Sequence, residues 1–238
     1  MSWDVVLFDL DGTLTDSGLG VGNGVIHALR ELGYPEPEGD ELRRYCHVGT
    51  GNYNPKTARF YDDLGLLSSD PVLGEDLSRL FNELSGHSTK HDYSRLLVAP
   101  HSLRRGLLMR IKRELKNHLD GKPAWIRLKL NSLLDEEIVA AIYEAADAGV
   151  KVEIVVRGIC SLQLNTQARR ENIKVRSILG RFLEHSRIYY FRNDGAEEYF
   201  IGSADMMQRN LDRRVESLVR IESEKHKERL KGILDDSM

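Results

Sequence analysis

The sequence predicts an α/β fold, and three observations carry that expectation. Short apolar runs rich in β-branched and aromatic residues recur along the chain, from DVVLFD at 4–9 to RRVESLVRI at 213–221. Between them lie segments with apolar residues at three- and four-residue spacing, the period of a helix with one buried face. The stretch 124–156 then reads strand, helix, strand in immediate succession, the order of a parallel right-handed crossover.

Taken in order, residues 4–9 predict a buried strand, and LDGTLTDSG after it supplies loop chemistry. VGNGVIHALRELG sets Val25, Ile26, Leu29 and Leu32 on one helical face, with Gly33 placed as a C-cap. YPEPEGDE is a turn leading into Leu42. From Tyr45 the texture changes. GTGNYNPKT is rich in glycine and asparagine, a turn or binding loop. Residues 75–86 predict a helix, RLLVAP (95–100) a strand stopped by Pro100, and 101–119 a strongly basic amphipathic helix. AWIRLKLN (124–131) alternates as a strand does. DEEIVAAIYEAADAGV (135–150) predicts a helix with Asp135 as N-cap and Gly149 past its end. KVEIVVRG (151–158), RIYYF (187–191), EYFIGS (198–203) and RRVESLVRI complete the strands, and a charged helix over 222–235 closes the chain.

The 238 residues suffice for one large domain or two small ones with a sizeable core. A hydrophobic share of 41% against 30% charged is an ordinary globular balance. No apolar run approaches the roughly 20 residues of a membrane span. The opening MSWDVVLFDLDG has no basic n-region, so it is not a signal peptide. Cys46 and Cys160 fit no metal-ligand spacing and are expected as reduced, buried thiols, which places the protein in the cytoplasm. Charge is uneven. Residues 1–43 hold nine acids and two bases, a net −7 within a chain total of −3, so the remainder carries +4. A mildly basic body suits an anionic ligand.

GTGN (49–52) and GSAD (202–205) echo each other: each lies beside a strand-like run and offers glycine, hydroxyl, small residue, polar side chain in that order.

DLDGT places Asp9 and Asp11 at the carboxyl end of a predicted strand, where two carboxylates one residue apart point the same way. They could share a divalent cation, one attacking phosphorus and the other handling the leaving-group proton. FDLDGTLTDS resembles the first motif of haloacid-dehalogenase-type phosphatases, over about residues 1–44. The further strands, hydroxyl, lysine and second acidic pair of that family have no counterpart after Leu42. Asp62–Asp63 and Asp235–Asp236 follow no predicted strand.

From Tyr45 onward a second resemblance takes over. YCHVGTGNYNPKTARFYDDLGLLSSDP, YSRLLVAP, LKLNSLLDEEIVAAIYEAADAGVKVEIVVRGICSL, NIKVRSILGRFLEHSRIYYF and YFIGSADMMQRNLDRRVE resemble, in order and nearly without gaps, the polyphosphate kinases of the first type over about residues 43–238. The resemblance implies a phospholipase-D-like mixed sheet flanked by helices, with 45–92 as the tail of one such domain and 93–238 as a second. It implies transfer of the terminal phosphate of ATP to and from inorganic polyphosphate through a phosphohistidine, with Mg2+ accompanying ATP or ADP. It points to no nucleic-acid partner and no membrane span, and leaves an oligomer open. The echo of GTGN and GSAD fits two matching half-sites. By the same resemblance Tyr61, Arg157 and His185 fall on nucleotide-binding positions, His185 also being the catalytic candidate.

The residue types suit those roles. A guanidinium at a strand end reaches two phosphate oxygens at once, a tyrosine stacks on or donates to adenine, and a histidine hydrogen-bonds a phosphate near neutral pH. Arg187, two residues after His185, shares its face on an extended chain and adds a cation for phosphate. Arg209 and Arg213 in RNLDRR either guide polyphosphate or pair with Asp205 and Glu216. The basic helix 101–119 reads as a solvated face.

In that family the phosphate-accepting histidine lies in a THxK-like stretch upstream of RRYCHVGTGN, ground occupied here by the phosphatase-like segment. Neither His27 nor His47 takes the role, and activity is expected to be impaired. The chain reads as a chimera joined near Leu42–Tyr45, with two alternatives kept: a phosphatase acting through Asp9 and Asp11, or a non-catalytic binder of ATP and polyphosphate. Because the acidic pair lacks its family helpers, Asp9→Asn is expected to leave phosphotransfer unchanged. Loss of phosphoester turnover in that variant would favour the phosphatase.

Overall fold

In the computed structural model the described residues are 44–56, 58–87 and 92–238. The predicted strand and helix before residue 44 lie outside them. The chain divides into two compact units, one built on Ser69–Asp92 together with the chain up to Tyr45, the other comprising Cys46–Ser68 and Tyr93–Met238.

The described part of the smaller unit contains one helix, α1 (Pro71–Leu84). It starts four residues before the predicted position because its start signal is local: Asp70 Oδ1 accepts the Leu73 N–H at 2.8 Å, and Pro71 occupies the first turn, where no N–H is needed.

The larger unit carries a seven-stranded sheet in the order β4-β11-β10-β9-β5-β6-β7. The strands are β4 (Leu96–Ala99), β5 (Trp125–Leu130), β6 (Lys151–Val156), β7 (Ile173–Arg176), β9 (Ile188–Phe191), β10 (Glu198–Gly202) and β11 (Glu216–Ile221). β5, β6 and β7 run parallel, while β9, β10, β11 and β4 alternate antiparallel away from β5. The mixed sheet flanked by helices is thus the architecture observed. Two small pairs stand apart from it. β1 (Cys46–Gly49) pairs antiparallel with β3 (Gly65–Ser68), and the two-residue strands β2 (Tyr61–Asp62) and β8 (Leu183–Glu184) pair in parallel.

Alternation along β5 decides the faces. Ile126, Leu128 and Leu130 join the apolar core with Leu103, Leu107 and Ile111 of α2 (Leu103–Leu119) and Ile138 and Ile142 of α3 (Glu136–Asp147). Arg127 and Lys129 point the other way and are buried too. Arg127 pairs with Glu153 directly across the ladder and with Asp235 of the closing helix α6 (Glu224–Ser237). Burial on both faces is the normal condition of a parallel pair. The expected crossover is present: α3 links the parallel strands β5 and β6. Asp135 Oδ1 accepts the Ile138 N–H at 3.1 Å at its start, and Gly149 takes a positive φ of 111° beyond its end, where a Cβ would be strained.

Two expectations are corrected here. The basic helix is less solvated than its composition implies, since Arg110 and Arg113 meet the buried Glu198, and Arg104 bridges Asp135 and Asp212. The final strand starts at Glu216, not at residue 213, because Gln208–Arg213 forms a short helix, α5. A six-residue helix, α4 (Gln167–Asn172), was also not foreseen. Both cysteines are free thiols, Cys46 buried and Cys160 half-buried.

Asp135 does two jobs at once, capping α3 and taking Arg104 Nη2 at 2.8 Å while only 3% exposed. Asp135→Ala is therefore expected to cost about 3 kcal/mol, against about 1 kcal/mol for Thr166→Ala at the exposed start of α4. Denaturation midpoints of the two variants check the difference.

Candidate functional site

One end of the large sheet collects the polar residues singled out from the sequence. β5, β6 and β10 run in one direction and β9 in the other, so Asn131, Arg157 and Asp205 follow strand ends where His185 and Arg187 precede a strand start. Loops beyond carboxyl ends of strands are where α/β sheets hold ligands.

Arg187 is the hub. Its side chain is almost wholly buried, with the residue 6% exposed. Nη2 and Nε donate to Asp205 Oδ2 and Oδ1 at 2.9 and 3.2 Å, a fork on a carboxylate. Nη1 donates to the carbonyls of Thr50 and His185 at 2.9 and 3.0 Å and faces His185 Nδ1 at 3.1 Å. Thr50 belongs to GTGN and Asp205 to GSAD, so the two echoing segments converge on one guanidinium. Thr50 is itself fixed: its N–H donates to the Leu64 carbonyl at 2.8 Å, and its Oγ1 accepts the Leu64 N–H at 2.9 Å.

From Asp205 the network continues to the neighbouring strands. Its Oδ1 also accepts the backbone N–H groups of Asn131 and Ser132 at 2.8 and 3.3 Å. Asn131 Oδ1 in turn accepts from Arg157 Nε at 3.1 Å. Gly158 lets the chain pass this close, since its N–H donates to the Asn131 carbonyl at 2.7 Å and a Cβ there would sit 2.7 Å from the same oxygen. Among the described residues Arg157 forms no ion pair, so its remaining N–H groups are open to a ligand.

His185 is held from several sides. Its N–H and that of Ser186 both donate to the Asp62 carbonyl, at 2.9 and 3.1 Å, through the β2–β8 pairing. Its ring stacks on Tyr61, with centroids 4.6 Å apart and planes 18° from parallel. Burial first, then the charges of Arg187 and Arg157, push its pKa down to about 4, against upward pulls from Thr50 and Asp205. The imidazole is therefore neutral at pH 7. Arg187 Nη1 lies 3.1 Å from Nδ1 and 3.5 Å from Nε2 of the ring.

Beside these residues lies a cleft of about 190 Å³ lined by Phe60, Arg157, Leu179, Phe182 and Glu184. Its apolar wall is open to solvent, Leu179 being 93% exposed.

Comparison with known proteins gives the same bearing. Residues 96–238 match the family described as polyphosphate kinase C-terminal domain 2, and residues 23–90 that described as C-terminal domain 1. The chain belongs to the polyphosphate kinase family. A polyphosphate kinase of Streptomyces coelicolor is 58% identical over 201 residues, which is 84% of this chain and 27% of that protein. One from Mycolicibacterium gilvum is 55% identical over 200 residues, with the same coverage of 84% and 27%. The chain thus spans about a quarter of the length of the curated relatives it matches. The crystal structure of polyphosphate kinase from Porphyromonas gingivalis aligns with a TM-score of 0.76 at 35% identity, covering 86% of this chain and 33% of that one.

Within this chain, the three residues carried over by resemblance come together: Tyr61 on His185, and Arg157 linked to Arg187 through Asn131 and Asp205. Arg209 and Arg213 lie exposed on α5. The pairing of RNLDRR with Asp205 is not formed, since Arg187 holds that carboxylate; Glu216 takes Arg214 at 3.8 Å and the side chain of Asn210 at 2.7 Å. Asp9 and Asp11 lie outside the described residues, within the stretch 1–44 where the phosphatase-like motif was read. Asn131, Asp205 as a ligand of Arg187, and Lys129 were missed. A polar residue closing a predicted strand was the available signal for the first.

His185 titrates near 6.5 when unfolded and at about 4 here, so the unfolded chain takes up a proton that the folded one refuses. The stability of the wild type relative to His185→Asn is expected to be full above about pH 6.5, to decline as pH falls toward about 4, and to level off below. Urea unfolding of both proteins at stepped pH measures it; parallel curves would mean the ring is not held neutral.

Proposed function

We propose that this chain carries the nucleotide-handling part of a reversible phosphotransfer between ATP and inorganic polyphosphate. The whole reaction belongs, by name, to the relatives, which are polyphosphate kinases of about four times the length. What most supports the reading for this chain is the position of Arg157, a half-buried cation without an ion partner among the described residues, on the wall of an aromatic-lined cleft. Such a pairing of apolar wall and directed cation fits a base joined to a phosphate chain.

In this reading Arg157 takes phosphate oxygens in a fork, and His185 stands beside it as a neutral imidazole. Tyr61 is occupied by His185, so the exposed rings of Phe60 and Phe182 supply the face for adenine. Arg187 acts from behind: its charge, with Nη1 3.1 Å from Nδ1, helps keep the ring neutral. Mg2+ enters as the partner of ATP. Among the described residues no three His, Cys, Asp or Glu side chains are grouped to hold a metal, and Asp205 is committed to Arg187. No described helix is long and apolar enough to cross a membrane.

Arg157→Ala removes the open cation and leaves the apolar wall. Losing one or two charge-assisted hydrogen bonds is expected to weaken ATP by about ten- to a hundredfold while adenosine binds nearly as before. Calorimetric titration of both ligands into the full chain tests this. Undiminished ATP binding by Arg157→Ala would remove the nucleotide site from this cleft.

A further inference from the structure

The sheet face opposite the apolar core carries a buried cation that no role above uses. Lys129 lies near the end of β5 and is 3% exposed. Its Nζ donates to Glu184 Oε2 at 2.7 Å and to Ser186 Oγ at 2.6 Å. The ladder register explains this reach. Lys129 stands opposite Ile188 of β9, and Ser186 and Glu184 follow on that face at two-residue steps, a diagonal that a long side chain spans.

His185 sits between those two partners in sequence. With Arg187, two residues on, it turns to the other face. One ammonium therefore grips the chain immediately before and immediately after the histidine. The Asp62 carbonyl fixes the backbone from a third direction. Glu184 has a second neighbour as well, because it also lines the cleft beside Arg157. A bare carboxylate there would oppose a polyphosphate chain; the Lys129 ammonium cancels it from behind the wall.

We propose that Lys129 is a positioning residue of this site: through Glu184 and Ser186 it aims the ring of His185, and through Glu184 it neutralises the wall of the nucleotide cleft. The first role stands on geometry alone. The second rests on the nucleotide reading given above.

The experiment uses the full chain with labelled histidine, the His185 signals being assigned by their absence in His185→Asn. Stacking on Tyr61 shifts the His185 ring protons upfield in the wild type. In Lys129→Met they are expected to move toward the position of an exposed histidine. Calorimetry with ATP and adenosine gives the second readout. At the effective dielectric of a half-buried site, the uncompensated Glu184 is expected to weaken ATP by about tenfold, with adenosine kept within about threefold. Adding Glu184→Gln removes the charge and is expected to restore most of the ATP affinity, while the ring protons stay displaced. If Lys129→Met does not fold, Glu184→Gln alone is read in the same way: displaced ring protons, with ATP gaining relative to adenosine. Unmoved ring protons, or ATP and adenosine weakened by one common factor, overturn the proposal. A wild type that binds neither ligand overturns the nucleotide reading and the charge role with it, and the ring protons alone then decide the aiming of His185.

Discussion

Everything at the polar end of the sheet depends on one buried guanidinium. Taking a cation out of water costs several kcal/mol, and the cost is recovered only if each donor finds a well-placed acceptor. Arg187 meets that condition with a carboxylate from the β10 loop and a backbone carbonyl from the β1 loop, besides its own neighbour's carbonyl. The acceptors come from positions 50, 185 and 205, so the same bonds that satisfy the charge fix three distant segments against one another. Removing any one acceptor would leave a buried charge short of a partner, the kind of change that costs about 3–5 kcal/mol when the partner is the ion-pair carboxylate. Asp205 then passes the constraint to Asn131 and Ser132, and Asn131 passes it to Arg157.

The rest of the unit is built to tolerate charge at depth. A strand such as WIRLKL would be a poor core strand if only one of its faces could be buried. Here the apolar face packs on α2 and α3, and each cation on the other face has a carboxylate at hand: Glu153 and Asp235 for Arg127, Glu184 for Lys129. The same economy recurs around Glu198, which is 4% exposed and is approached by Arg110, Arg113 and Arg220. Burial alone would raise that carboxyl's pKa, yet the three guanidinium groups bring it below its ordinary value. Desolvation wins instead at Arg110: burial lowers its pKa despite Glu198, with smaller help from the charges of Arg113 and Arg220. A carboxylate shared among three cations satisfies itself before it satisfies them.

How much of this could be read in the letters depends on the range of each interaction. Helix α3 was legible with its cap because Asp135, the apolar spacing and Gly149 are all local. The start of α1 lies four residues before the expected one, although its signal, Asp70 before Pro71, is equally local. The β2–β8 pairing was illegible for a different reason. Two strands of two residues each, more than a hundred residues apart, carry no periodicity, yet that pairing is what lays Tyr61 on His185. The echo of GTGN and GSAD signalled that two segments matched, but not that they would meet on Arg187 through a backbone carbonyl in one case and a side chain in the other. A sequence displays which residues are charged. It does not display which charges are already spent.

That distinction separates the two arginines of the site. Arg157 and Arg187 both flank strand ends, and both read as phosphate ligands. A fork geometry can be satisfied by a phosphate or by a carboxylate, and whichever arrives as part of the chain has the advantage of effective concentration. Asp205 is such a resident partner, and it occupies Arg187 before any ligand can. Asn131 meets Arg157 with a neutral oxygen instead, which orients the guanidinium without cancelling its charge. An amide where a carboxylate would otherwise stand thus leaves Arg157 without an ion partner among the described residues. The two arginines are held by acceptors of different charge, one pair closed within the fold, while Arg157 lines the cleft with no ion partner among the described residues.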